Sequence, residues 1–169
     1  MAKAKPRVLL LVGSASDIPV MKKAVAVLNE FGIENELTIA SAHRSPERAL
    51  KLAAGAEKRG IKVIIAGAGL AAHLAGVVAA HTSLPVLGVP MGGGPLQGLD
   101  ALLSTVQMPP GVPVGTVAIG EGGAANAGLL AARILGLSDP VIAKKLTAHR
   151  ARMAALVEEA AAAVEADGK

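Results

Sequence analysis

The chain has 169 residues, a formal charge of +4, no cysteine, no tryptophan, no tyrosine and a single phenylalanine. Without cysteine, disulfides and thiolate chemistry are excluded, and a reducing cytoplasmic location is expected. So few aromatic rings offer no platform on which nucleic-acid bases or a flavin could stack. We therefore expect one domain over residues 1–169 whose positive charge permits an anionic ligand, with neither nucleic acid nor membrane as partner.

Charge is unevenly distributed along the chain. Between Val63 and Ala132 there is no lysine or arginine, and the only acids are Asp100 and Glu121. A membrane span is one explanation, but glycine, proline and histidine interrupt the stretch at short intervals. Burial against further copies of the chain explains it better, because a small monomer needs charged surface throughout. The sequence therefore predicts a homo-oligomer.

Strand, turn and helix patterns alternate five times along the chain. The predicted strands cover residues 7–12, 36–40, 61–66, 84–89 and 114–119. The predicted helices cover residues 19–32, 46–60, 73–80, 100–107, 126–135 and, at the C-terminus, about 139–164. This order favours an α/β fold with a doubly wound parallel sheet, a core within residues 7–136 and a long C-terminal helix.

Polar side chains gather in the turn after the first predicted strand. Ser14, Ser16 and Asp17 follow Gly13 directly. Hydroxyls and free backbone N–H groups at a helix start suit a phosphate, and a carboxylate can accept hydrogen bonds from a ribose diol. Capping of the next helix is an alternative role for each of the three.

The second turn, Ser41-Ala42-His43-Arg44-Ser45-Pro46, carries the strongest chemical signal. Ser45 is the expected N-cap and Pro46 the expected first residue of the next helix. His43 and Arg44 should then lie at the carboxyl edge of the sheet, where open α/β folds bind ligands. Arg44 suits a phosphate, and the imidazole of His43 is the candidate general acid and base.

The third turn contains Gly69 and His73, and its Gly67–Ala72 segment matches a dinucleotide-binding fingerprint. No acidic residue follows at the distance where such folds bind ribose, so a nicotinamide-dependent oxidoreductase is a weak alternative. His73 is expected in the same pocket or in a packing role. It lies too far from His81 along one helix to share a metal ion, and His81 and His149 are expected to be structural or surface residues.

Taken together, these motifs resemble the N5-carboxyaminoimidazole ribonucleotide mutase family of purine biosynthesis. The similarity runs from the first strand to about Leu135. It is carried by the residues 13–17, 41–46, 66–74, 84–90, 104–109 and 111–114, with Asn126. The family usually has an aromatic residue at the position of Ile18, threonine at Ser45, glycine at Leu70 and proline at Ala75.

The resemblance implies a three-layer, flavodoxin-like subunit of a homo-octamer that uses neither metal nor organic cofactor. It implies an isomerase that moves a carboxylate from the exocyclic nitrogen of an aminoimidazole ribotide to a ring carbon. The residues Ser14, Asp17 and Arg44 would bind phosphate and ribose, with Ser16, Ser41, Gly69 and His73 also in the substrate site. His43 would shuttle the ring proton. Direct carboxylation of the ribotide by CO2 is the alternative within the family, and a non-catalytic nucleotide-binding module is an alternative outside it.

Overall fold

The computed structural model describes residues 5–167, and in it five parallel strands form one sheet in the order β2-β1-β3-β4-β5. The strands are β1 (Val8–Val12), β2 (Asn35–Ile39), β3 (Val63–Ala68), β4 (Val86–Pro90) and β5 (Gly115–Thr116). The helices are α1 (Ile18–Glu30), α2 (Pro46–Gly55), α3 (Leu74–Ala79), α4 (Leu99–Val106), α5 (Gly120–Gly136) and α6 (Pro140–Asp167), with 3-10 turns at Ala15–Asp17 and Glu57–Arg59. This is the predicted doubly wound sheet with a long C-terminal helix, and its winding direction reverses between β1 and β3.

Both faces of the sheet are covered, because successive residues of a strand point to opposite sides. In the inner strand β1, Leu10 packs with α1 and α5, whereas Leu9 and Leu11 pack with α2 and α3. All five residues of β1 are buried, as the continuous apolar sequence predicts for a parallel strand. The helices on both faces leave the carboxyl edge of the sheet open to loops.

The third and fifth strands differ most from their predicted bounds, and the other three differ by at most two residues at either end. The third ends at Ala68, two residues later than expected, because Gly67 continues the ladder opposite Val12 and Val89. A side chain at Gly67 would collide with the terminal methyl group of Met91. The fifth strand is only two residues long, against the six predicted, so the sheet has a very short edge on that side.

The opposite edge of the sheet, β2, is covered by an arginine from α2. The Nε atom of Arg48 donates a 2.8 Å hydrogen bond to the carbonyl of Ile39, and its Nη2 atom donates to the hydroxyl of Thr38 at 3.0 Å. An edge strand presents backbone groups that have no partner within the sheet. Arg48 therefore satisfies one of these groups at the end of β2.

Helix α5 begins six residues earlier than predicted, at Gly120. The prediction excluded its first turns because glycines usually interrupt helices. Here the glycines allow close approach: a Cβ atom on Gly123 would collide with the backbone of Ala118. One on Gly128 would lie 2.9 Å from the carbonyl oxygen of Ala24 in α1. Helices α1 and α5 thus pack backbone to backbone on one face of the sheet.

The first half of α6 is attached to the C-terminal end of α1. The Nζ atom of Lys145 donates to the carbonyl of Phe31 at 2.8 Å, and Arg152 pairs with Glu30. Beyond Arg152 the described side chains of α6 are all exposed. Among the residues that the structure describes, no helix is both long and apolar enough to cross a membrane.

Candidate active site

A cavity of about 640 Å³ lies at the carboxyl edge of the sheet, where the winding direction reverses. The loops that follow β1, β2, β3 and β4 all contribute to its wall. It is lined by every site residue that the sequence predicts: Ser14, Ser16, Asp17, Ser41, His43, Arg44, Gly69 and His73. Parallel strands place their following loops at one edge, which explains how four distant segments meet.

The loop after β1 forms a short 3-10 turn that presents two hydroxyls to the cavity. The Ser16 hydroxyl donates to the Ser14 hydroxyl at 2.9 Å, and the Ser14 oxygen also accepts from the Ser16 backbone N–H at 3.4 Å. Ser14 therefore caps the 3-10 turn, one of the two roles considered for it. The hydroxyl of Ser16 is exposed and able to contact a ligand.

Asp17 occupies the N-cap position of α1, but its side chain makes no capping hydrogen bond. Partial burial raises the pKa of the Asp17 carboxyl above its ordinary value of 3.8. Hydrogen bonds involving the Ser16 side chain and the Ser14 backbone, with the charge of Arg44, oppose this rise without cancelling it. Burial in the cavity wall thus destabilises the ionised form of Asp17. This favours a ligand-binding role over a capping role.

Arg44 extends across the cavity edge from the β2 loop to the β1 loop. Its Nη2 atom donates to the carbonyl of Gly13 at 2.8 Å, and its Nε atom donates to the Ser41 hydroxyl at 3.4 Å. The Ser41 hydroxyl also accepts from the Arg44 backbone N–H at 3.2 Å. These bonds fix the guanidinium next to Gly13, and the Arg44 side chain remains exposed with further N–H groups able to donate.

The expected capping role of Ser45 is only partly correct. Ser45 holds the N-cap position of α2, yet its hydroxyl makes no capping hydrogen bond with that helix. Instead its oxygen accepts from the Ser41 backbone N–H at 3.1 Å, and its hydroxyl donates to the Ser41 carbonyl at 3.3 Å. Ser45 therefore closes the loop that carries His43 and Arg44.

His43 and His73 are in direct contact. The Nε2 atom of His43 lies 2.8 Å from the Nδ1 atom of His73, and the two rings meet edge to face at 77°. His73 precedes α3, so it does not lie within the helix as the sequence suggested. The contact joins the loops after β2 and β3 across the end of β1.

The far wall of the cavity is formed by Leu70, Ala71 and the loop Met91–Gly94, none of which is among the predicted site residues. These residues are apolar or glycine. The signals in the sequence are the absence of charged side chains from these two loops and their position directly after β3 and β4. No group of three side chains able to hold a metal ion occurs in residues 5–167.

Two histidines lie outside this cavity, as expected. His81 contacts the carbonyl of Val77 through its Nδ1 atom at 2.8 Å, within its own helical turn. His149 packs its ring against Phe31, with 5.6 Å between ring centroids. Both occupy structural or surface positions.

Fold and cavity together define a flavodoxin-like α/β protein whose carboxyl-edge pocket carries hydroxyls, one guanidinium, one carboxylate and a pair of imidazoles. Residues 7–155 match the AIR carboxylase family. The chain belongs to this family.

Relatives cover nearly the whole chain. A protein of Thermotoga maritima named N5-carboxyaminoimidazole ribonucleotide mutase is 56% identical over 163 residues, 96% of this chain and 94% of that protein. One of the same name from Pyrococcus horikoshii is 55% identical over 168 residues, 99% of this chain and 94% of that protein. The crystal structure of Treponema denticola PurE superimposes with a TM-score of 0.83 at 31% identity, covering 91% of this chain and 95% of that one.

Proposed function

We propose that this protein is an isomerase of purine biosynthesis that converts N5-carboxyaminoimidazole ribonucleotide into 4-carboxy-5-aminoimidazole ribonucleotide. The observation that carries the proposal is 55–56% identity, over nearly the whole chain, to relatives that bear this mutase name. The cavity has the chemistry for such a ligand, with hydroxyls and a guanidinium for phosphate and an apolar wall opposite them.

The phosphoribosyl end of the ribotide is assigned to the loops after β1 and β2. Arg44 and Ser14 both line the cavity there, Arg44 bonds to Gly13, and it is the only cation that lines the cavity among the described residues. Asp17, whose carboxylate is partly desolvated, accepts hydrogen bonds from the ribose hydroxyls. Ser16, Ser41 and the close-packed backbone at Gly69 complete the contacts.

The aminoimidazole ring is assigned to the His43 and His73 side of the cavity. The N–C bond of the carbamate breaks as the exocyclic nitrogen takes a proton, which leaves CO2 and the aminoimidazole ribotide. The ring carbon then attacks the CO2, forms the new C–C bond and gives up its own proton. One proton is taken up and one is released, so a single group, His43, can carry both. No cofactor or metal is required by this balance.

Direct carboxylation with CO2 from solution is the second candidate, because the family takes its name from that reaction. The reaction run on unlabelled carbamate with excess labelled bicarbonate distinguishes the two. A mutase forms product with little label, since the CO2 stays in the site until the new bond forms. Product labelled to the fraction present in solution would show that the CO2 comes from outside and would overturn the proposal.

We also propose that the protein works as a closed homo-oligomer, an octamer by its resemblance to the mutase family. Four apolar residues near α4, spaced at three and four along the chain, are each about half exposed: Leu96, Leu99, Leu103 and Val106. This stripe lies within the stretch that has no basic residues, and its burial between copies would remove it from water. A cytoplasmic location remains a prediction from the cysteine-free composition.

A further inference from the structure

The loop 41–45, with His43 at its middle, connects β2 to α2 and is anchored at both ends. On one side, the backbone N–H of Ala40 donates to the carbonyl of Val12 in β1 at 2.9 Å. On the other side, the carbonyl of Ser45 accepts from two backbone N–H groups in the first turn of α2, at 3.1 and 3.3 Å. The residues between these anchors depend on hydrogen bonds within the loop itself.

Two serines close this loop through three hydrogen bonds. The backbone N–H and the hydroxyl of Ser45 both donate to the carbonyl of Ser41, at 3.0 and 3.3 Å. The side-chain oxygen of Ser45 accepts from the Ser41 N–H at 3.1 Å. The hydroxyl therefore supplies two of the three bonds, and without it the Ser41 N–H would have no protein acceptor within residues 5–167. A donor left without an acceptor in a partly buried loop is unfavourable, so loss of the hydroxyl should loosen the closure.

The side chain of Ser45 lies outside the substrate cavity. It lines a separate groove beside β2, together with Leu37, Thr38 and Arg48, and is not among the residues that line the cavity. The hydroxyl is already bonded to both backbone groups of Ser41. Any effect of Ser45 on the reaction must therefore pass through the loop.

His43 depends on this closure more than Arg44 does. Among the described residues, the His43 side chain has one hydrogen-bond contact, 2.8 Å from its Nε2 atom to the Nδ1 atom of His73. The guanidinium of Arg44 is held from outside the loop, because its Nη2 atom donates to the carbonyl of Gly13 at 2.8 Å. A loosened loop should thus displace the imidazole while the guanidinium keeps its place.

We propose that Ser45 is a positioning residue for the proton transfer. Its hydroxyl bridges the N–H and carbonyl groups of Ser41 and so holds the His43 imidazole against His73, within reach of the reacting ring. This inference rests on the proposed mutase function and assigns to a side chain outside the cavity the placement of the proton carrier. Displacement of a reacting group by about 1 Å can lower a rate about 10²-fold, so the placement affects turnover directly. Ser45 itself touches neither the substrate nor the transferred proton.

The test compares Ser45→Thr with Ser45→Val, because these two side chains have nearly the same shape and only threonine has a hydroxyl. Ser45→Thr should retain the kcat of the unchanged protein. Ser45→Val and the smaller Ser45→Ala should lower kcat by about 10- to 10²-fold. Their affinity for the ribotide product, measured by calorimetry, should be unchanged, since Arg44 keeps its bond to Gly13.

Thr147→Val is the matched control. The hydroxyl of Thr147 donates to the carbonyl of Ala143 at 3.2 Å, again four residues earlier in the chain, but Thr147 lies in α6 and outside the cavity. Its replacement should leave kcat unchanged. A fall in kcat equal to that of Ser45→Val would show that any lost hydroxyl bond of this kind slows the enzyme and would overturn the proposal.

A second readout needs no substrate. In protein labelled with nitrogen isotope at histidine, the N–H proton between His43 and His73 should give a hydrogen-bonded signal by NMR. Ser45→Thr should keep this signal, and Ser45→Val should lose it. If the unchanged protein failed to convert the carbamate, the mutase function would be refuted, and this signal alone would decide whether Ser45 positions His43.

Three further results would overturn the proposal. Unchanged kcat in both Ser45→Val and Ser45→Ala would show that the hydroxyl is not needed. Equal losses in Ser45→Thr and Ser45→Val would make side-chain shape the cause. A fall in ligand affinity that matches the fall in kcat, whether from a displaced loop or from unfolding, would make Ser45 a support for the whole site and not for His43.

Discussion

His43 and His73 share a hydrogen bond of 2.8 Å between Nε2 and Nδ1, so one ring must donate a proton and the other must accept it. Two N–H groups cannot face each other at this distance. The protonation state of either ring therefore restricts that of the other. If His43 accepts a proton from the ring carbon of the substrate, both of its ring nitrogens carry hydrogen, so its Nε2 atom must donate and the Nδ1 atom of His73 must accept.

Replacement of His43 should lower the rate of the reaction without weakening the binding of the ribotide. His43→Asn should lower kcat by about 10²-fold or more, because the side-chain amide cannot exchange the ring proton. Asparagine is too short to replace the Nε2 contact with His73, but the binding groups Arg44 and Ser14 are unchanged, so ribotide binding should remain. The absorbance change on product formation measures the rate, and calorimetry with the ribotide product measures binding. A variant that keeps near-wild-type turnover would contradict the assignment of His43 as the proton carrier.

Arg44 should serve binding more than chemistry. Arg44→Ala should weaken ribotide binding by roughly 1.5–3 kcal/mol, the range for a hydrogen bond to a charged group. Arg48→Ala is the control, because Arg48 also donates to a backbone carbonyl at 2.8 Å but lies outside this cavity. Calorimetry should show a loss of affinity for the first variant only. Equal affinities in the two variants would place the phosphate elsewhere.

The raised pKa of Asp17 makes a prediction about stability. A carboxyl whose folded pKa is above 3.8 stabilises the fold while protonated, and this contribution is lost as pH rises through the folded pKa. Asp17→Asn should therefore increase the free energy of unfolding at pH 7. The gain should shrink as the pH is lowered towards about 4. Urea unfolding across this range measures the difference.

Asp139 is a suitable control for Asp17, because its pKa is shifted in the opposite direction. The hydrogen bond from Arg7, at 2.7 Å, lowers the pKa of Asp139, with help from the backbone N–H of Ile142. Its contribution is present above pH 3.8 and is lost only as the pH falls through the lowered folded pKa. Asp139→Asn should thus be less stable than wild type at pH 7 and remain so at pH 5. If the free energy of unfolding of the two variants changed with pH in the same way, the opposite pKa shifts of Asp17 and Asp139 would be contradicted.

Leu70 has a φ angle of +54°, in the left-handed region, and this strained backbone should lower the free energy of unfolding. Left-handed conformation costs a residue other than glycine about 1–2 kcal/mol, whereas glycine adds about 0.4–1 kcal/mol of unfolded-state entropy. Strain relief is the larger effect, so Leu70→Gly should raise the free energy of unfolding by about 0.5–1 kcal/mol. Leu70→Ala keeps the strained backbone and should show no such gain. Equal stability in both variants would show that the strain is not released.

The apolar stripe near α4 should control assembly. The Leu103 side chain is 49% exposed in the single chain, so Leu103→Glu should not disturb the core. A charge buried between copies is unfavourable, and the variant should populate smaller species at micromolar concentration. Light scattering measures the molar mass. An unchanged large mass would place the interface on another face, and a monomeric wild type would refute the oligomer itself.

The fold and the polar half of the site were predictable because each depends on short-range patterns. Five apolar runs, each followed by a turn, define the strands. Hydroxyls, Arg44 and the two histidines mark where those turns meet. The alternation of strand and helix predicts a doubly wound parallel sheet, and the resemblance to the mutase family implies its flavodoxin-like strand order. No tertiary information was needed to bring His43 near Ser14.

The remainder depends on long-range packing that a single sequence does not reveal. Gly123 was left outside the predicted helix, and nothing in the sequence indicated that it packs on the backbone of Ala118 or that Gly128 packs on Ala24 of α1. The apolar wall around Met91 carried no chemical signal of its own. The match of Gly67–Ala72 to a dinucleotide-binding fingerprint also depends on structure that the sequence does not show. Gly67 lies inside β3 and not in the turn that such a fingerprint forms.

The two ends of the sheet limit how copies of this chain can associate. At one end β5 offers only two residues, and at the other the guanidinium of Arg48 already occupies the carbonyl of Ile39. A strand from another copy could therefore form few backbone hydrogen bonds with either edge of the sheet. Continuous sheets and fibrils through these edges are therefore disfavoured, and association is directed to side-chain surfaces that can form closed particles of fixed size.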